Sequence, residues 1–173
     1  MYSTLMLVTL PSAKCDITVT VTDGTNPVTG ASVTISGTTK TTDSDGEADF
    51  SLYEGPATIS VTKDGYQDKS EDVDVSPHDT GFTIELVAVD TITITVTDSE
   101  DSPAAIEGAS VVIGETSKTT DANGQCTFTE MPYDDYEATV SATGYTTKED
   151  VEIQFRSNHK SFTIALEAEA EGG

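Results

Sequence analysis

The stretch ITVTVTD, Ile17 to Asp23, returns as ITITVTD at Ile92 to Asp98. In both, β-branched apolar residues alternate with threonine. Ile17, Val19 and Val21 point one way and Thr18, Thr20 and Thr22 the other; Ile92, Ile94 and Val96 are set against Thr93, Thr95 and Thr97 in the same manner. A period of two with β-branched residues on both faces predicts half-buried strands.

The duplication extends outward from these strands. GASVTI (Gly30 to Ile35) is matched by GASVVI (Gly108 to Ile113), TTDSDGEADF (Thr41 to Phe50) by TTDANGQCTF (Thr119 to Phe128), EDVDV (Glu71 to Val75) by EDVEI (Glu149 to Ile153), and FTIEL (Phe82 to Leu86) by FTIAL (Phe162 to Leu166). Turn signals interrupt the pattern at short spacing, among them Asp23-Gly24, Asp45-Gly46, Asp64-Gly65, Asn123-Gly124 and Thr143-Gly144. Short strands with regular turns predict an all-β chain: two tandem seven-stranded antiparallel β-sandwich domains. The expected division is an N-terminal strand-forming arm over residues 1–14, repeats at 15–88 and 89–168, and an acidic tail at 169–173. The joint Val87-Ala88-Val89-Asp90 has neither glycine nor proline, which predicts a stiff connection. Loops carry the length differences, as at Asp98 to Gly108 and at Gln154 to Ser161, where Phe155 and Arg156 are expected at the surface.

Composition narrows the function. The 173 residues hold 31 acidic against 8 basic side chains, a net charge of −23. Such a surface repels phosphate backbones and anionic headgroups, so neither nucleic acid nor a membrane surface is an expected partner. No stretch approaches the roughly 20 apolar residues of a membrane span. The leader is short for a signal core and lacks a basic start, so it is expected to be part of the mature protein. Within it, Leu5, Met6, Leu7, Val8 and Leu10 form an apolar strand-like segment with no place in either repeat. Such a segment is expected to seek a sheet edge, either that of another subunit, as a subunit-interface arm, or that of the first repeat itself.

Aspartate, glycine, proline and aromatic residues recur in one order: Asp23, Pro27, Gly30 to Val33, Thr41 to Asp43, Gly46, Phe50 and Gly65-Tyr66, then Asp98, Pro103, Gly108 to Val111, Thr119 to Asp121, Gly124, Phe128 and Gly144-Tyr145. This order resembles the carboxypeptidase regulatory-like repeats of the transthyretin-like (prealbumin-like) sandwich group, over nearly all of residues 15–168. The resemblance implies spacers, stalks and adhesive parts of secreted and surface proteins. The pattern is also similar to pilin and adhesin stalk modules that form Lys–Asn isopeptide bonds. Here Lys14 is the lone lysine near a first strand and neither final strand has an asparagine.

Candidate sites are few. Asp43 to Gly46 and Asp121 to Gly124 read as fragments of a calcium loop or, more simply, as tight turns whose aspartate accepts backbone hydrogen bonds. No cofactor is expected, with weak Ca2+ binding and covalent glycans left open. Thr18, Thr20, Thr22, Thr93, Thr95 and Thr97 are the candidate O-glycosylation sites, against ordinary β-propensity. N-linked sugars are not expected, since Asn26 precedes proline and Asn123 and Asn158 lack the required hydroxyl residue. His78 and His159 have no placed nucleophile or carboxylate, so no enzyme is expected. Cys15 and Cys126 are disulfide candidates. Set roughly 25 Å apart by one module length in an end-to-end arrangement, they leave three readings open: pairing between chains stacked head to tail, two buried free thiols, or pairing within a bent chain.

Together these features predict a structural subunit of an extracellular or cell-surface filament. It would be a pilus-like homopolymer assembled head to tail through its N-terminal strand. The alternative is a monomeric cell-surface adhesion or stalk module that grips a glycan, protein or host surface with the long loops of the second repeat.

Overall fold

The computed structural model describes residues 14–100 and 102–170. The chain divides into two compact units between Val87 and Ala88. Among the described residues there are fourteen strands and no helix. The first repeat contains β1 (Lys14–Thr22), β2 (Ser32–Ile35), β3 (Thr38–Thr41), β4 (Glu47–Tyr53), β5 (Gly55–Thr62), β6 (Lys69–Val75) and β7 (Gly81–Glu85). The second contains β8 (Val89–Asp98), β9 (Ser110–Ile113), β10 (Thr116–Thr119), β11 (Gln125–Pro132), β12 (Asp135–Ser141), β13 (Lys148–Gln154) and β14 (Ser161–Leu166).

Each repeat is a sandwich of a three-stranded and a four-stranded sheet. The orders are β4-β1-β7 with β3-β2-β5-β6, and β11-β8-β14 with β10-β9-β12-β13. The seven strands per repeat match the expectation from the alternating pattern. One pairing in each repeat departs from an all-antiparallel arrangement: β7 runs parallel to β1, and β14 parallel to β8. This follows from the connectivity, because the last strand returns beside the first after crossing from the other sheet.

Alternation places the core. Ile17, Val19 and Val21 are buried together with Val33, Ile35, Phe50, Ile59, Val61, Ile84 and Leu86. The second core repeats this set with Ile92, Ile94, Val96, Val111, Ile113, Phe128, Val140, Ile153, Ile164 and Leu166, and adds Phe155. Phe155 corrects the surface placement read from the sequence, since its side chain is fully buried. The cause is that Val151, Ile153 and Phe155 prolong the period of two past the end of β13, so the ring falls on the core face.

The arm residues Leu5, Met6, Leu7, Val8 and Leu10 lie outside the described residues.

Candidate functional site

The motif shared by the two repeats is built into the same turn twice. Thr42 is buried beyond the end of β3, and its hydroxyl donates to Val28 O at 2.6 Å and accepts from Ala31 N at 2.9 Å. Thr120 does the same with Ile106 O at 2.6 Å and Ala109 N at 2.9 Å. A buried hydroxyl is tolerated because both of its functions are satisfied. One residue on, Asp43 Oδ1 accepts from Asp45 N and Glu47 N at 2.9 and 3.0 Å. Asp121 Oδ1 accepts from Asn123 N and Gln125 N at 2.8 and 2.9 Å. These backbone N–H groups, Gln125 first, hold the Asp121 carboxyl below its ordinary value.

The turn closes on a glycine because nothing larger fits. Gly46 has φ +76°, and a Cβ there would stand 2.5 Å from Val21 O; at Gly124, φ +71°, it would stand 2.5 Å from Val96 O. Both glycines lie against the central strand, and Val21 N and Val96 N donate to their carbonyls at 2.8 Å. The calcium-like fragments are therefore turns whose aspartates cap backbone groups. Among the described residues no group of three or more histidine, cysteine, aspartate or glutamate side chains could hold a metal ion.

Among the described residues, the remaining sequence candidates form no shared site within either repeat. Cys15 on β1 and Cys126 on β11 are free thiols, each buried in the core of its own repeat. Burial pushes both thiols up, with Glu54 and Asp16 adding to the effect at Cys15 and Asp121 at Cys126. A protonated, buried thiol is a poor partner in disulfide exchange. Thr18, Thr20, Thr22, Thr93, Thr95 and Thr97 are half-buried on the central strands of the three-stranded sheets. Some of their hydroxyls are engaged: Thr18 donates to Asp49 Oδ1 at 2.6 Å and Thr22 to Asn26 O at 3.0 Å. His78 is exposed in the Ser76–Asp79 turn, and His159 rests its ring on Phe162 with centroids 4.4 Å apart.

One cluster has no counterpart in the first repeat. At the start of β8, Asp90 pairs with Lys160 and accepts the Tyr133 hydroxyl at 2.9 Å and Thr91 N at 2.8 Å. Lys160, followed by Thr91 N and the Tyr133 hydroxyl, holds the Asp90 carboxyl down at about 2. Burial, with Asp90 next, pushes Tyr133 up, and Asp90 raises Lys160. The Tyr133 ring lies 5.1 Å from that of Phe155, and Arg156 bridges to Asp135 at 2.6 Å. The Gln154–Ser161 loop, one of the two candidate gripping loops, is thus pinned onto its own sandwich. Sequence reasoning missed this cluster because its partners are spread over seventy positions. The visible signal was the pair Phe155 and Lys160 inside an otherwise polar insertion.

A surface groove of about 660 Å³ is lined by Gly114, Asp135, Tyr136, Glu137, Asp150 and Glu152. Acidic side chains on an open sheet face offer no nucleophile–base pair and no enclosed site.

The carboxypeptidase regulatory-like domain profile matches residues 16–87 and, a second time, residues 91–167. No curated protein matches the chain. Among solved structures, a streptococcal ancillary pilin is 14% identical, with a TM-score of 0.46 over 92% of this chain and 64% of that one. GBS52, the minor pilin of Streptococcus agalactiae, is 13% identical, with a TM-score of 0.46 over 92% of this chain and 98% of that one. The Bacillus anthracis TIE protein is 16% identical, with a TM-score of 0.43 over 90% of this chain and 34% of that one. The chain thus spans about a third of the TIE protein and slightly under two thirds of the ancillary pilin.

Proposed function

Since the chain belongs to the carboxypeptidase regulatory-like family, in two tandem copies, we propose that it is a non-catalytic structural subunit of an extracellular or cell-surface fibre. The subunits assemble head to tail through the N-terminal segment. The observation that carries this reading is the set of open sheet edges. Each sandwich consists of two separate sheets, and among the described residues their outer strands β3, β4, β6, β7, β10, β11, β13 and β14 each pair on one side only. An unpaired edge is a template for another strand. The motif residues give no competing chemistry, because Thr42, Asp43, Thr120 and Asp121 spend their hydrogen bonds on their own turns.

An arm that leaves one copy and enters a different surface of the next forms a heterologous contact, which builds a ring where the rotation between copies closes and an open filament where it does not. The net charge of −23 makes copies repel, so association strengthens with added salt, which shortens the Debye length from about 10 Å at 0.1 M to 3 Å at 1 M. Electron microscopy and sedimentation of the full chain and of a chain lacking residues 2–13 test the reading. Fibres from the first and monomers from the second are expected. Monomers from both, under all salt conditions, overturn it.

A further inference from the structure

We propose that the edge which receives the arm is β14 of a second copy, an assignment that rests on the fibre reading above. Natural sheets protect open edges with charged side chains, proline, bulges or very short strands. Seven of the eight edge strands follow this rule. β4 carries Glu47 and Asp49, β6 carries Lys69, Glu71, Asp72 and Asp74, and β7 carries Glu85. β3 and β10 are four residues long with a lysine each, β11 carries Glu130 and Pro132, and β13 carries Lys148, Glu149, Asp150 and Glu152. β14, Ser161-Phe162-Thr163-Ile164-Ala165-Leu166, has no charge and no proline, and its six-residue ladder with β8 runs without a register shift.

In a chain with 31 acidic residues, an undefended edge of this length is a surface kept for pairing. Its occupant is identified by the same property. Residues 1–13 contain no charged side chain, and Thr4 to Leu10 is a seven-residue uncharged stretch with five apolar residues that stops at Pro11, which cannot donate to a ladder. The segment leads directly into β1 at Lys14. An uncharged strand on an uncharged edge lets two strongly acidic copies meet without opposing carboxylates. The arm precedes the first repeat and the edge belongs to the second, so the contact has a direction and repeats as a filament where the rotation between copies does not close a ring.

Two substitutions at equivalent exposed positions separate this edge from its counterpart: Thr163→Lys on β14 and Thr83→Lys on β7, which face Thr95 and Thr20 in their ladders. With the full chain, Thr163→Lys is expected to cut pelletable fibre at least tenfold, and Thr83→Lys to leave it unchanged. Hydrogen exchange on the unsubstituted protein gives a readout that does not depend on how the variants fold. Amides of Ser161–Leu166 should slow by about tenfold or more in fibres relative to the chain lacking residues 2–13. Wild-type assembly by Thr163→Lys, loss of assembly in Thr83→Lys alone, or unchanged exchange over β14 overturns the β14 assignment while leaving the fibre reading standing. A full chain that stays monomeric, or a truncated chain that still forms fibres, overturns both.

Discussion

The two repeats carry the same strands and turns but different chemistry at the base of the first strand. Thr18 in β1 and Thr93 in β8 hold the same place, accepting Gly81 and Ser161 as their parallel partners. Three residues upstream, the first repeat has Cys15, buried opposite Leu52, and the second has Asp90, opposite Met131. The position before the last strand is Thr80 in one and Lys160 in the other, and each of their carbonyls accepts from the equivalent threonine N–H. The second repeat also has a register shift between Phe128 and Met131, with Glu130 at φ +56°. An apolar end in one copy has become an ion pair backed by Tyr133 and Phe155 in the other. The duplicated framework is therefore the turn and the core, while the ends are free to diverge.

Transplanting one end into the other copy is the hardest test of that contrast. Cys15→Asp places a carboxylate in the core position without the lysine that Asp90 has, and is expected to cost about 3–5 kcal/mol of first-repeat stability. Adding Thr80→Lys should restore part of the loss, measured by denaturant unfolding with repeat-resolved hydrogen exchange. A Cys15→Asp protein as stable as the parent would mean the two ends are interchangeable. Next in size is Phe155→Ala, which empties a buried ring site found in the second repeat alone and is expected to cost about 3–4 kcal/mol there, leaving the first repeat untouched.

The shared parts should respond alike. Gly46→Ala and Gly124→Ala each force a Cβ against a strand carbonyl at positive φ, at about 2–3 kcal/mol apiece. Thr42→Val and Thr120→Val each strand a backbone N–H and a carbonyl, at about 2 kcal/mol. Unequal losses within either pair would show that the framework itself has diverged.

Much of this framework could be read from the chain. The alternation at Ile17 to Thr22 and Ile92 to Thr97 marked the central strands, and the repeated aspartate and glycine marked the turns, because both signals are local. The burial of Thr42 and Thr120 was hidden, since a threonine before an aspartate reads equally well as an exposed strand end. The parallel pairing of β14 with β8 and the union of Asp90, Tyr133 and Lys160 depend on which strands the topology makes neighbours. No spacing encodes that. Phe155 lay between these cases: its alternation with Val151 and Ile153 was present, but the polar insertion around it suggested a surface loop.

The smallest effect expected is in the pH dependence of the second repeat, and its sign follows from the Asp90 cluster. Lys160 holds the folded Asp90 carboxyl at about 2, below the ordinary carboxylate range of an unfolded chain. A lowered carboxyl contributes stability that is whole above the unfolded value and is lost as pH falls toward about 2. Lys160 is raised by the same contact, so its contribution is whole below the ordinary lysine range and fades as pH climbs through the raised value. The two side chains remain 33% and 39% exposed, so solvent screens the pair and keeps both limbs shallow. Asp90→Asn should flatten the acid limb of the second repeat, followed by amide exchange over β8 and β14 between pH 2 and about 4. The first repeat, with Cys15 in that place, should show no change on this substitution. An acid limb that survives in Asp90→Asn would assign it to other carboxylates, Asp121 first among them, whose turn is common to both copies and would erase the contrast between the ends.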